Sequence, residues 1–338
     1  MPPVHRSGPD APEPHDDTFK QYMVEEFVDD YQEGLIGRRE ALRRLVAVTG
    51  SPALAAGILA ACDSSSSSSP PASTAPEPAD QPSAVAPTLP STQAQPPQTT
   101  QAGVTVPEDD PGIVASALRI PADGFTLLSY LARPQGEGPF PIILVCHENR
   151  GLNDHIRDVT RRLAKAGYVG LAVDLLAREG GSDKVDSVPG VLGNTPPTQF
   201  VADFQAALRH AQTLPFALKE QVGMVGFCFG GGVTWRCATE MPEIRAAVPF
   251  YGPNPPLEDV SQIKAAVFAV YGEQDRRINR GIEAIEGAMQ QHNKVFEKMI
   301  YANAGHAFHN DTGQRYSPEA ARDAWARTLA WFERHVKA

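Results

Sequence analysis

The stretch Val225-Gly226-Phe227-Cys228-Phe229-Gly230-Gly231-Gly232, "VGFCFGGG", follows an apolar run and precedes a segment with helical patterning. Glycines stand two residues either side of the cysteine. A strand-to-helix turn with a nucleophile at its tip strains that residue's backbone and brings neighbouring backbone into close approach. Glycine is needed at the flanking positions, giving the G-x-S-x-G spacing with cysteine in place of serine. Such a turn sets Cys228 at a helix N-terminus, where the dipole and free N–H groups favour a thiolate, and it makes the Phe229 N–H an oxyanion donor. A buried structural cysteine in a glycine-rich turn fits the pentad equally well. A phosphate loop fits less well, because no Lys-Ser/Thr follows the glycines.

The surrounding pattern decides the fold. Short apolar runs at 113–120, 124–134, 139–148, 168–176, 221–228, 246–251, 265–271 and 295–301 read as strands. Helical patterns fall at 154–167, 200–214, 229–240, 277–291 and 317–335, and residues 177–198 read as a loop or lid. This alternation predicts an α/β fold with a mainly parallel central sheet and helices on both faces. Ligands then bind beyond the carboxyl ends of the strands. Asp275 and His306 both follow predicted strands, in the chain order nucleophile, acid, histidine that an elbow fold requires. Each residue alone also suits a plain turn or surface loop, and His309 competes with His306.

Composition divides the rest of the chain. Residues 63–111 are rich in Ser, Pro and Ala and lack aromatics, which predicts a disordered linker. Residues 112–338 suffice for one large domain. The net charge of −10 resides in the appendages: residues 1–36 carry −7, 37–62 carry +3 and 63–111 carry −6. The globular part is neutral, with 24 acids against 24 bases, which argues against nucleic-acid binding. Arg38-Arg39 and Arg43-Arg44 lead into an apolar run over 45–62 that ends in Leu59-Ala60-Ala61-Cys62. A run this short, interrupted by Gly, Ser and Pro, suits an export signal better than a membrane span. It resembles a twin-arginine signal closed by a lipobox, which implies lipidation at Cys62, a membrane anchor and a place in the cell envelope. A buried or lightly anchoring helix ahead of a linker, in a cytoplasmic protein, is the alternative. The sequence assigns no role to the acidic first 36 residues and implies no oligomeric state. Cysteines at 62, 146, 228 and 237 match neither a zinc set nor a redox pair, so no disulfide framework is expected.

Taken together, "CHENRGL", "GFCFGG", "YGEQDRRI" and "AGHAF" closely resemble the dienelactone hydrolase family of the α/β-hydrolase superfamily, over about residues 112–338. The resemblance implies Cys228 as nucleophile, Asp275 as orienting carboxylate, His306 as general base and Glu148 as the glutamate contacting the resting thiol. It adds Asn149 N–H as a second oxyanion donor and implies no metal or organic cofactor. The family's name-giving members hold a dienelactone carboxylate with arginines, one of them four residues after the histidine. Asn310 stands at that position, and Arg150 or Arg178 would have to substitute. Phe229, Trp235 and Tyr251 are candidates for an apolar pocket. The expected activity is hydrolysis of small esters or lactones. The alternatives are a non-catalytic lipoprotein binding domain and, more distantly, a metal hydrolase using His147, His306 and His309.

Overall fold

The computed structural model describes residues 17–65 and 105–338. Most of the predicted linker therefore lies outside the described residues. Three helices come first: α1 (Thr18–Gln32), α2 (Arg38–Thr49) and α3 (Pro52–Ser65). The α/β part follows as β1 (Ile113–Ala122), β2 (Phe125–Pro134), β3 (Phe140–Cys146), α4 (Asp154–Lys165), β4 (Val169–Val173), α5 (Val188–Asn194), α6 (Pro197–Ala211), β5 (Ala217–Phe227) and α7 (Phe229–Glu240). It closes with β6 (Ile244–Phe250), β7 (Ala266–Gly272), α8 (Arg276–Asn279), α9 (Ile282–Gln291), β8 (Phe296–Tyr301) and α10 (Pro318–His335).

One eight-stranded sheet runs in the order β1-β2-β4-β3-β5-β6-β7-β8. The pairings β1–β2 and β2–β4 are antiparallel, and every other pairing is parallel. The central strands β3, β4 and β5 carry Ile142–Cys146, Val169–Val173 and Val222–Phe227, buried throughout. Their unbroken apolar character follows from being covered on both faces. A Cβ on Gly223 would meet Phe332 of α10 and Val336 just past its end, whereas one on Gly226 would meet Gly230 and Thr234 of α7. Residues three apart on a strand point to opposite faces, so α7 and α10 sandwich the sheet.

The predicted strands and helices are present, with two adjustments. The helix expected over 277–291 is broken into α8 and α9 around Arg280 and Gly281. The loop at 177–198 contains α5 and two turns of 3-10 helix. Thr105 and Val106, within the predicted linker, donate their N–H groups to the buried Asp158 carboxylate of α4.

The first three helices pack on the domain. Phe19, Tyr22, Met23 and Phe27 of α1, Ala41, Leu45 and Val48 of α2, and Ala55 and Leu59 of α3 are buried in one continuous core with the α/β part. α1 packs against α2, α5 and α7. Among the described residues no helix is long and apolar enough to cross a membrane.

Candidate active site

β5 ends at Phe227, and Cys228 follows with φ 58° and ψ −122° before α7 begins. A left-handed φ is costly for a side-chain-bearing residue and persists only where the surroundings enforce it. Here they do. A Cβ on Gly226 would lie 2.1 Å from the Gly230 carbonyl oxygen, and one on Gly230 would lie 2.4 Å from that of His147. The glycines at these two positions are therefore steric requirements of the elbow. Phe229 opens α7, so its N–H has no partner within the helix. Neither it nor the Asn149 N–H makes a hydrogen bond among the described residues, which leaves both donors free near Cys228.

The loop after β8 brings His306 to the elbow. Ala307, next to it, holds φ 60°, and Tyr251, whose ring lies 5.1 Å from the imidazole, holds φ 37°. His306 Nδ1 bonds Asp275 Oδ2 at 2.6 Å, and Asp275 Oδ1 accepts the Ile278 N–H. Asp275 thus orients the imidazole and caps α8. Cys228, His306 and Asp275 are all buried.

The electrostatics follow from that burial. Burial pushes the Cys228 thiol up and the charge of Glu26 pushes it further, against a smaller downward pull from His306. Burial alone would lower His306, but the charge and hydrogen bond of Asp275, with Cys228, raise it well above the ordinary histidine range. Burial opposes ionisation of Asp275, yet His306 holds its carboxyl below the usual range. The elbow's dipole is outweighed, and the resting group is a neutral thiol beside an imidazolium–carboxylate pair.

The carboxylate nearest the thiol was not foreseen. Glu26 of α1 lies 3.5 Å from Cys228 Sγ and accepts from Asn149 Nδ2 at 2.7 Å. Glu148, expected against the thiol, instead accepts from Asn310 Nδ2 through Oε2. Tyr22, also on α1, places its hydroxyl 3.2 Å from Sγ and 3.4 Å from His306 Nε2. One donor atom each of Glu26, Cys228 and His306 lies within 4.8 Å of the others. A signal for α1 existed in the sequence, since Phe19, Tyr22, Met23, Glu26 and Phe27 recur at helical spacing.

The remaining candidates divide. Arg150 lines a cavity of about 270 Å³ with Cys228, His306, Glu148, Asn149 and Asn310. Arg178 is committed elsewhere, paired with Asp203 at 2.6 Å and stacked on Phe125. Trp235 does not line the site: it is fully buried on α7 and packs towards Phe296 of β8. Tyr251 is fully buried, edge-on to His306, and supports the imidazole from behind. His147 bonds the Glu148 carbonyl through Nδ1 and accepts the Leu175 N–H through Nε2, so neither nitrogen is left for a metal. His309 stacks on Phe227 in the core, where burial and the charges of His155 and Arg162 keep it neutral. The arginines facing the site were also missed. Arg277 stacks on Tyr22 and pairs with Asp29, and Arg315 pairs with Asp30 and Glu33.

Sheet order, elbow and the placement of acid and histidine beyond the strand ends define an α/β-hydrolase fold. The dienelactone hydrolase family model matches residues 127–336, and the chain belongs to that family. It is 35% identical over 253 residues to the "Putative carboxymethylenebutenolidase" of Methylorubrum extorquens, covering 70% of this chain and 87% of that one. The Escherichia coli protein of the same name is 33% identical over 250 residues, covering 69% and 92%. The crystal structure titled "Putative Dienelactone Hydrolase" from Klebsiella pneumoniae superposes with a TM-score of 0.62 at 32% identity, covering 66% of this chain and 99% of that one. The chain is accordingly a hydrolase of the carboxymethylenebutenolidase type.

Proposed function

We propose that the chain hydrolyses small carboxylic esters or lactones through Cys228. The observation that carries this reading is the strained elbow at Cys228 with His306 beside it, backed by Asp275 at 2.6 Å. The resting imidazolium first gives its Nε2 proton to solvent, and the neutral ring then takes the Sγ proton as sulfur attacks the acyl carbon. The tetrahedral oxyanion rests on the N–H groups of Asn149 and Phe229. Collapse expels the alkoxide, which takes the proton from His306 and leaves a thioester. Water then attacks the thioester carbon and gives its proton to His306, and the departing thiolate recovers that proton as thiol. Asp275 keeps Nδ1 protonated throughout, so Nε2 faces the reaction. Glu148 stands at the strand end beside the oxyanion donors, where it contributes to proton withdrawal once α1 no longer lies against the thiol.

The names of the relatives point to a carboxylated dienelactone, but Asn310 replaces the expected arginine and already bonds Glu148. Substrates without a carboxylate are therefore expected to be accepted. The test is turnover of activated phenyl esters and simple lactones, with and without iodoacetamide and EDTA. Activity that survives thiol alkylation or Cys228→Ala would sink the cysteine mechanism. Loss with EDTA would revive a metal role. The absence of any turnover would favour a binding protein that keeps the hydrolase shell.

We also propose export with lipidation at Cys62. Arg38-Arg39 ahead of the apolar α3, which carries Leu59-Ala60-Ala61-Cys62, supports it. Palmitate labelling that persists in Cys62→Ala would refute the lipidation.

A further inference from the structure

Helix α1 stands where an acyl substrate has to enter. The Tyr22 hydroxyl, 3.2 Å from Cys228 Sγ and 3.4 Å from His306 Nε2, fills the space across which the proposed proton transfer runs. One turn on, Glu26 sets an anion 3.5 Å from the same sulfur and ties up the Asn149 side chain. One turn back, Phe19 wedges between Phe200 and Phe229, its ring centroid 5.6 Å and 4.8 Å from theirs. A Cβ on Gly232 would come within 2.6 Å of the Pro253 ring and 2.9 Å of the Phe19 ring, so Phe19 seats there only because position 232 carries no side chain. Outside, Arg277 and Arg315 hold the helix through Asp29, Asp30 and Glu33. Three side chains on one face of one helix thus fill an apolar slot, the reaction centre and the neighbourhood of an oxyanion donor.

We propose that α1 is an internal pseudosubstrate that shuts the acyl site in the resting chain, and that the slot it vacates takes an aryl or bulky apolar acyl group. The proposal rests on the reading of Cys228 as nucleophile. The family fold does not need this helix: the family match begins at residue 127, and the Klebsiella chain forms the same fold over 99% of its own length while covering 66% of this one. The α/β part is therefore expected to fold without α1, which circular dichroism and urea unfolding of a chain beginning at Thr105 check. Cleavage ahead of Cys62, as the export reading has it, would carry α1 away and couple opening of the site to export.

The test compares three proteins: the full chain, the full chain with Phe19→Asp and Tyr22→Ala, and a chain beginning at Thr105. Each is treated with iodoacetamide and the label at Cys228 is followed by peptide mass. Each is also assayed on 4-nitrophenyl acetate and 4-nitrophenyl phenylacetate. Relative to the full chain, both altered proteins should alkylate at least about tenfold faster and gain at least about tenfold in kcat/KM, with the larger gain on phenylacetate. Should the double variant fail to fold, the shortened chain carries the comparison. Alkylation and turnover equal to or below those of the full chain would overturn the proposal and make α1 part of the working site. An equal gain on both esters would overturn the aryl slot. Faster alkylation with no ester turned over by any of the three would uphold occlusion and refute the esterase reading instead.

Discussion

Replacing Glu26 with glutamine isolates the charge that α1 brings to the thiol. Glu26→Gln keeps the side chain's shape and an oxygen to accept from Asn149, while removing the anion 3.5 Å from Cys228 Sγ. A thiolate and a carboxylate at that separation repel by about 5 kcal/mol at an effective dielectric near 20, equivalent to about three and a half pH units. That figure is a ceiling. The His306 imidazolium, with a ring nitrogen within 4.8 Å of both groups, already offsets much of the carboxylate's field. We expect the midpoint for Cys228 alkylation to fall and the alkylation rate at neutral pH to rise by about tenfold or more. The sign is fixed, because losing a negative neighbour favours the thiolate. The assay is the iodoacetamide rate at Cys228 followed from neutral to strongly alkaline pH in both proteins. An unchanged or raised midpoint would refute the placement of Glu26 against the thiol. Glu148→Gln is the comparison: the charge of Glu148 is the weakest of the causes acting on Cys228, so its removal should move the midpoint less. A larger fall for Glu148→Gln would make Glu148 the thiol's resting partner, as the family resemblance implied.

Asp275→Asn removes the acceptor that holds His306 Nδ1 at 2.6 Å, and should lower kcat on activated esters by about 10³- to 10⁴-fold with a small change in KM. A loss below about tenfold would contradict the orienting role. Gly226→Ala places a Cβ 2.1 Å from the Gly230 carbonyl oxygen and should destabilise the fold by about 3 kcal/mol or more, read from urea unfolding. A change within about 0.5 kcal/mol would show that the elbow relaxes. Asp311 is held at about 2, below the ordinary 3.8, because its hydrogen bond to His155 and the charge of Arg162 outweigh burial. A carboxyl depressed in the folded state stabilises fully above its unfolded pKa and loses that contribution as pH falls through the folded value. Discounted for partial exposure, Asp311→Asn should cost about 1–2 kcal/mol at neutral pH and flatten the stability curve between about pH 4 and pH 2. Equal slopes for variant and parent over that window would contradict it.

The α/β part was legible because its signals are local and redundant. The runs at 142–146, 169–173 and 222–227 are apolar at every position but the three glycines Gly170, Gly223 and Gly226, and only a strand covered on both faces tolerates that. Asp275 and His306 were found because sheet topology sends every parallel strand end to the same edge. What was not legible depends on register and depth. Trp235 and Phe229 both lie on α7, yet one faces the core and the other the Phe19 slot, a difference of orientation that an apolar letter does not carry. Arg178 and Arg277 read alike in sequence. Their partners, Asp203 in one case and Asp29 with Tyr22 in the other, decide which of them serves the site.

Helix α1 was hidden for a different reason. Net charge summed over residues 1–36 gives −7, and that sum assigns the segment no packing face and no role. Charge is a scalar, whereas burial follows the direction in which each residue points. Four acids of α1, Glu25, Asp29, Asp30 and Glu33 (the last just past its end), find arginines at the rim in Arg280, Arg277 and Arg315. Phe19, Tyr22, Met23 and Phe27 form the buried stripe. Glu26 belongs to the stripe by position and to the acids by chemistry. A lone carboxylate on an apolar face is expensive to bury unless something receives it. What receives it is the side chain of Asn149, whose N–H the proposed reaction uses, and beside it the thiol. A carboxylate at a buried helix position three to four residues from an aromatic stripe therefore carried the information that this helix seats in a polar pocket. The only pocket of that kind the sequence had already predicted is the one at Cys228.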